Sequence, residues 1–201
     1  MSIAENLRTI NAQIATAAKA AGRAPEDILL VAATKTQSAG RVREAIAAGV
    51  RACGENRVQE LTAKSEESAY DGASLHFIGH LQRNKLNKVV GKVDLLESVD
   101  SEELLSLVNQ QAEKLGIVQD ILLEINIAGE ENKFGISATR LPALSALALS
   151  LPHVRLRGLM AIPPIQTVPG GNRQFFAQMR QLFVDMKEKA YHNNDILYLS
   201  M

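Results

Sequence analysis

A lysine stands where an apolar run ends, early in the chain. Lys35 follows residues 28–34, a run rich in branched aliphatic side chains. Such a run is typical of a strand in a parallel sheet that is covered on both faces, and the lysine then falls at the strand's carboxyl end. α/β proteins carry their chemistry at that edge. An amine placed there can attack a carbonyl group and form a Schiff base, although a solvated lysine without a function is the alternative.

Other predicted strands end in segments that could contribute to the same edge. Residues 54–57 and 79–84 are polar and follow strands, and residues 160–162 end a further strand. If the strands are parallel neighbours, these segments converge with Lys35. The glycine that opens each of the two polar segments would let a planar ligand approach the backbone, and Asn56 can hydrogen-bond a ring substituent.

The chain alternates strands and helices after an opening helix that begins with a Ser2–Glu5 capping box and ends near Gly22. The pattern predicts strands at residues 28–34, 50–53, 75–78, 93–99, 121–127, 156–162 and 196–200. It predicts helices at residues 42–48, 58–68, 82–90, 101–115, 141–149 and 175–186, with a turn at residues 54–56. This alternation indicates a parallel sheet, either doubly wound or closed into a barrel.

The strand count favours the barrel. No Gly-x-Gly-x-x-Gly follows the first strand, and the predicted strands number one fewer than the eight of a (β/α)8 TIM barrel. The 201 residues are fewer than the roughly 250 of a typical barrel, and the chain stops in an apolar strand. We therefore expect a single domain over residues 1–201, a (β/α)8 TIM barrel with an extra N-terminal helix, truncated at the C-terminus so that the eighth strand is missing.

Composition excludes several classes of partner. Lys plus Arg and Asp plus Glu are both 22, so no net charge attracts nucleic acid or an anionic membrane. The single cysteine, Cys53, fits a reducing compartment and a structural core position. No leader peptide or long apolar segment is present, so we expect a cytoplasmic protein. The histidines lack metal-ligand spacing, and we expect no metal site.

Glu124 and Asn126 fall on one face of a predicted strand. A satisfied core network is the expected reading for these two side chains, and a functional carboxylate–amide pair inside the barrel is the alternative.

Five ordered stretches resemble one family. They are VAATKT (31–36), GENRVQE (54–60), HFIGHLQRNK (76–85), SVDS (98–101) and RGLMAIPP (157–164). They are similar to the pyridoxal phosphate homeostasis proteins and span essentially the whole chain. The resemblance implies a barrel of the alanine racemase N-terminal type. It also implies that Lys35 holds pyridoxal 5′-phosphate as a Schiff base.

The resemblance further assigns the other cofactor-binding residues. It puts Asn56 near the pyridine ring, His80 and Met160 in the pocket lining, and Ser200 on the phosphate. It implies that most of the family's phosphate-binding amides, and an arginine facing the pyridine nitrogen, follow residue 201.

The family resemblance implies a carrier rather than a catalyst. Its members bind and distribute the cofactor without an established reaction, so we expect a monomer that buffers pyridoxal phosphate or delivers it to apo-enzymes that depend on it. No second catalytic base is identified, and no catalytic residue is assigned. The alternatives are an amino-acid racemase or a lysine Schiff-base aldolase that uses the same lysine, or a scaffold in which the lysine is inert.

Overall fold

Strands and helices alternate along the chain, as the sequence predicts. The computed structural model describes residues 1–168, 170–189 and 196–201. The chain divides into two compact units, Met1–His76 and Phe77–Met201. Within the described residues, no helix has the length and apolar character needed to cross a bilayer. That residues 1–201 form a single domain stays a prediction.

The first unit consists of three helices and three strands. They are α1 (Ile3–Ala20), β1 (Val31–Ala33), α2 (Ala39–Ala47), β2 (Ala52–Glu55), α3 (Val58–Glu66) and β3 (Ser74–Phe77), which ends at the boundary between the units. The predicted capping box opens α1: the Glu5 amide donates to Ser2 Oγ at 3.2 Å, and the Ser2 amide donates to Glu5 Oε2 at 2.7 Å. This reciprocal pair satisfies two of the amide groups that a helix start leaves without partners.

Parallel pairing of β1 with β2 fixes the edge where Lys35 lies. Ala33 pairs with Gly54, and the Thr34 amide donates to the Gly54 carbonyl at 2.9 Å. The predicted strand at 50–53 and turn at 54–56 are therefore wrong, because β2 continues through Gly54 and Glu55. The polar Glu55 stays in the strand because buried donors reach one of its carboxylate oxygens, Oε1. The first strand is also shorter than predicted.

The second unit holds four parallel strands in sequential order. Its elements are β4 (Leu95–Val99), α4 (Glu102–Leu115), β5 (Gln119–Glu124), α5 (Leu141–Ser150), β6 (Val154–Met160), α6 (Arg173–Glu188) and β7 (Tyr198–Ser200). The register aligns Glu124 with Met160 and Met160 with Ser200, so these three strands end at one level. Leu95, Leu122 and Met160 form a buried cluster beneath that edge.

Apart from boundary shifts of one or two residues, two predicted elements of the second unit differ in the structure. The helix predicted at 82–90 is a 3-10 helix, Arg83–Lys88. The strand predicted at 121–127 ends at Glu124, because the Asn126 side chain organises a turn. Its amide donates to the Glu130 carbonyl at 2.8 Å, and its Oδ1 accepts from the Glu130 amide at 3.1 Å. A side chain that bonds the local backbone in this way competes with continued strand pairing.

Gly158 permits the close approach of β6 and β7. Its φ of +152° lies where side chains are disfavoured, and a Cβ there would overlap the Tyr198 carbonyl oxygen. The Leu197 amide donates to the Arg157 carbonyl at 2.8 Å, which holds β7 against this position. A glycine in a strand interior often marks such an approach of two backbones.

Gly158→Ala should destabilise the protein more than Gly116→Ala. Gly116 has a φ of +66° but open space around a Cβ, so alanine there adds only backbone strain, roughly 1–2 kcal/mol. At Gly158 the overlap with Tyr198 adds to the strain, and we expect a total loss of about 3 kcal/mol or more. Urea unfolding of both variants gives the comparison, and equal losses would show that the strands separate without cost.

Candidate functional site

Lys35 lies at the carboxyl end of β1, as predicted. Thr34 is buried and continues the pairing with β2, and the chain leaves the sheet at the next residue. The Lys35 side chain is exposed. Among the described residues it forms no hydrogen bond or ion pair. It therefore presents an unengaged primary amine at the strand edge.

Asn56 follows β2 directly and lies at the same edge of the first unit. Asn56 as a whole is half-buried. Its Oδ1 atom is buried and has no hydrogen-bond partner among the described residues. A buried acceptor that lacks a donor costs free energy, and such an atom calls for an explanation. Asn56 thus offers an acceptor that a ligand's donor can satisfy.

A buried polar network underlies this edge. Glu55 is fully buried, and its Oε1 accepts from Thr34 Oγ1 at 2.6 Å, from Lys64 Nζ at 2.6 Å and from Tyr70 Oη at 2.9 Å. Lys64, on α3, is only 6% exposed. Through Thr34 and Lys64, the network joins the end of β1, the end of β2 and α3, and so holds the backbone that carries Lys35 and Asn56.

Two groups of the first unit are poor nucleophiles or bases. Burial, followed by the nearby Glu55 charge, raises the pKa of the Cys53 thiol to about 11. Burial and Glu55 also raise the pKa of Tyr70 well above its usual range. Cys53 therefore stays a thiol near neutral pH, and Tyr70 stays a hydrogen-bond donor to Glu55.

Met160 and Ser200 lie at the matching edge of the second unit. Met160 is 2% exposed, and the amide that follows it, at Ala161, donates to the Ser200 carbonyl at 3.0 Å. The Ser200 hydroxyl donates to Glu97 Oε2 at 2.6 Å. Glu97 is buried in β4. The predicted phosphate ligand is thus a hydroxyl that a carboxylate already orients.

His80 packs beside an acidic residue and an aromatic ring. Its ring stacks on Phe134 with centroids 3.6 Å apart and planes 10° from parallel. Its Nδ1 lies 3.6 Å from Asp100 Oδ2. His80 therefore has one ring face covered by Phe134 and an acidic side chain near Nδ1.

The carboxylate–amide pair between Glu124 and Asn126, the alternative reading of the sequence, is not observed among the described residues. Asn126 bonds its own turn, whereas Glu124 Oε2 is buried without a hydrogen-bond partner among the described residues. Burial, and secondarily the charge of Asp100, raises the pKa of Glu124 to about 7. Glu124 consequently titrates near neutral pH, and neither the core-network reading nor the carboxylate–amide pair holds.

The sequence-based prediction missed the buried network. Glu55 was placed in a turn, and Glu60 and Lys64 were placed on the predicted helix at 58–68, where lysine and glutamate usually face water. One signal was available: Glu60 and Lys64 are four residues apart on α3, a spacing that places them on one helix face. Whether that helix face is buried depends on tertiary packing, which the spacing does not reveal.

The comparisons with known proteins first define a class. Residues 5–201 match the sequence profile of the alanine racemase N-terminal domain. Alanine racemase from Clostridium difficile has a TM-score of 0.71 at 14% identity, over 87% of this chain and 49% of that one, which supports the fold alone. The predicted α/β fold of the alanine racemase N-terminal type is confirmed.

Sequence relatives then define the family. The chain is 37% identical to the pyridoxal phosphate homeostasis protein of Aquifex aeolicus, over 100% of this chain and 87% of that protein. It is 38% identical to that of Escherichia coli K12, over 99% of this chain and 86% of that protein. The chain belongs to the pyridoxal phosphate homeostasis protein family, as its motifs predicted.

Solved structures agree with this family. PipY of Synechococcus elongatus, in a structure with pyridoxal phosphate bound, has a TM-score of 0.85 and 32% identity over 100% of this chain and 88% of that one. A protein of unknown function from Bifidobacterium adolescentis has a TM-score of 0.92 and 34% identity, over 99% of this chain and 85% of that one. The fold thus matches over nearly the entire chain.

Replacing Glu124 by glutamine should change how stability depends on pH. The folded protein keeps the Glu124 proton between about pH 4.5 and 7, whereas the unfolded chain loses it. Wild-type stability therefore falls as the pH rises through that window, and Glu124→Gln lacks this loss. Relative to wild type, the free energy of unfolding of the variant should rise by up to about 3 kcal/mol by pH 7. This difference should level off above that pH. Urea unfolding from pH 4 to 8 measures the difference, and a constant difference would refute the shifted pKa.

Proposed function

We propose that this chain is a cytoplasmic, monomeric protein of vitamin B6 homeostasis that holds pyridoxal 5′-phosphate on Lys35 and buffers it or delivers it to apo-enzymes. One observation carries the proposal: Lys35 is an exposed, unengaged amine on a firmly held strand end. The similarity to PipY, whose structure includes bound pyridoxal phosphate, supports the choice of ligand.

The predicted site residues carry functional groups of the kinds that this ligand requires. Its aldehyde condenses with a primary amine, forming a C=N bond and releasing one water molecule. Lys35 would supply that amine, and the buried, unpartnered Asn56 Oδ1 would accept from a donor on the ring. His80 and Met160 would line the ring, and Ser200 would hold the phosphate.

Each of these side chains would have a separate task. Lys35 would bind the cofactor covalently, while Asn56 would orient the ring by satisfying an acceptor that otherwise lacks a donor. The hydroxyl of Ser200 would have to leave Glu97 Oε2, its acceptor at 2.6 Å, before donating to a phosphate oxygen. This competition favours reversible binding of the cofactor's phosphate, which a carrier requires.

One observation supports a second function, racemisation of an amino acid. A general base works best when its pKa lies near the operating pH, and Glu124 has a pKa of about 7 with one unpartnered oxygen. We rank this function second because nothing observed brings a substrate to Glu124.

Lys35→Ala should abolish covalent binding of pyridoxal phosphate. Wild type mixed with the cofactor and reduced with borohydride should gain one phosphopyridoxyl group in its mass, located on the Lys35 peptide. Lys92→Ala removes another exposed lysine and should behave like wild type. A modified Lys35→Ala protein, or a wild-type adduct located on another lysine, would contradict the assignment.

Amino-acid exchange in deuterium oxide separates the carrier from the racemase. The carrier should exchange the α-proton of alanine no faster than free pyridoxal phosphate does. Exchange at enzyme-like rates that disappears in Glu124→Gln would favour racemisation and contradict the carrier function.

A further inference from the structure

Lys64 is a lysine in an unusual place. It lies on α3 and is only 6% exposed. Each hydrogen bond of its Nζ atom goes to an oxygen of the first unit. Nζ donates to the Thr34 carbonyl at 2.7 Å, to Glu55 Oε1 at 2.6 Å and to Glu60 Oε2 at 3.2 Å. An ammonium group has three donors, so all of them are engaged.

The contacts of Lys64 and its carboxylate partners reach the backbone on both sides of Lys35. On the N-terminal side, Thr34 gives its carbonyl to Lys64 and its hydroxyl to Glu55. On the C-terminal side, the Thr36 amide donates to Glu60 Oε2 at 2.6 Å. That bond is the main reason why the pKa of Glu60 is lowered.

Thr36 adopts a backbone conformation that needs such support. Its φ is +63°, in the left-handed region that a β-branched residue rarely enters. Conformations of this kind persist when surrounding contacts over-determine them, and they cluster at functional sites. Glu60 supplies the contact at Thr36, and Lys64 holds Glu60 in turn.

We propose that Lys64 is a positioning residue for Lys35: with Glu55 and Glu60 it clamps the residues on either side of Lys35 and so fixes where the reactive amine leaves the backbone. This proposal rests on the proposed function of Lys35. Among the described residues, the exposed Lys35 side chain has no hydrogen bond or ion pair to direct it, so the clamped backbone is the part of the residue that is pre-positioned.

A structural ion pair alone would not require this arrangement. Glu55 Oε1 and Lys64 Nζ form the ion pair at 2.6 Å without the threonines, yet both neighbours of Lys35 are included through buried or short hydrogen bonds. Lys64 is not itself the reactive amine, because its donors are all occupied and its side chain is buried. Misplacing a reacting group by about 1 Å costs on the order of 100-fold in rate.

The experiment uses variants that keep the buried ion pair. Glu60→Ala removes the acceptor of the Thr36 amide, and Glu60→Gln keeps an acceptor of similar shape. Thr34→Val removes the hydroxyl bond to Glu55 Oε1. The matched control is Tyr70→Phe, which removes a hydroxyl bond to that same oxygen but contacts neither Thr34 nor Thr36.

The rate of covalent binding of pyridoxal phosphate, followed by absorbance and by borohydride trapping, distinguishes positioning from stability. Glu60→Ala and Thr34→Val should react roughly 10- to 100-fold more slowly than wild type. Glu60→Gln should recover to within about threefold of wild type, and Tyr70→Phe should react normally even where urea unfolding shows that it is less stable. Rates that follow stability across all four variants would overturn the proposal.

Amide hydrogen exchange tests the clamp without the cofactor. Exchange at Thr36 should accelerate roughly 10- to 100-fold in Glu60→Ala, and much less in Glu60→Gln and Tyr70→Phe. An unchanged Thr36 amide in Glu60→Ala would overturn the clamp. A wild-type protein that forms no adduct while its Thr36 amide behaves as expected would instead refute the proposed function of Lys35.

Discussion

The edge that carries Lys35 depends on one buried ion pair, between Glu55 and Lys64. A fully buried carboxylate is tolerated only when donors compensate it, and Glu55 Oε1 receives donors from Lys64, Thr34 and Tyr70. Removing one partner of such a pair typically costs about 3–5 kcal/mol, because the other charge is left buried. The pair keeps Glu55 in β2, and this places Asn56 at the first position beyond the strand. Strand register, loop conformation and the candidate site therefore share one electrostatic constraint.

Two buried carboxylates lie near the strand ends of the second unit, Glu124 and Glu97. Burial raises the pKa of Glu124 to about 7, so its carboxyl group keeps a proton up to about that pH. Glu97 instead accepts a hydrogen bond from the Ser200 hydroxyl. A phosphate near Ser200 would have to compete with Glu97 for that hydrogen. An enzyme that retains its cofactor through many turnovers gains nothing from this competition. A protein that must release the cofactor gains from this competition, because part of the free-energy cost of release is returned when the Ser200–Glu97 hydrogen bond forms again.

The sequence predicted the fold better than it predicted the chemistry around the reactive residue. Periodicity and capping identified α1 and the alternation of strands and helices, because these depend on local spacing. Strand ends were missed where polar side chains decide them: Glu55 prolongs β2 because α3 supplies its partner, and Asn126 ends β5 because it bonds its own turn. The position of Lys35 at a strand end was predicted from the apolar run before it, whereas its role in cofactor binding came from the family resemblance and stays a proposal. Lys64 was missed because its burial arises from tertiary packing.

Several side chains around the Lys35 strand edge are held in states that are not nucleophilic. Burial keeps Cys53 a thiol, with a pKa of about 11, and keeps Tyr70 a phenol, so neither provides a thiolate or phenolate near neutral pH. Lys64 has the same functional group as Lys35 but donates to three oxygens. The strand edge that carries Lys35 thus combines an accessible amine with neighbours that position it and do not share its reactivity. A carrier needs this selectivity, because a reversible covalent bond delivers its cargo efficiently only when no second nucleophile captures it.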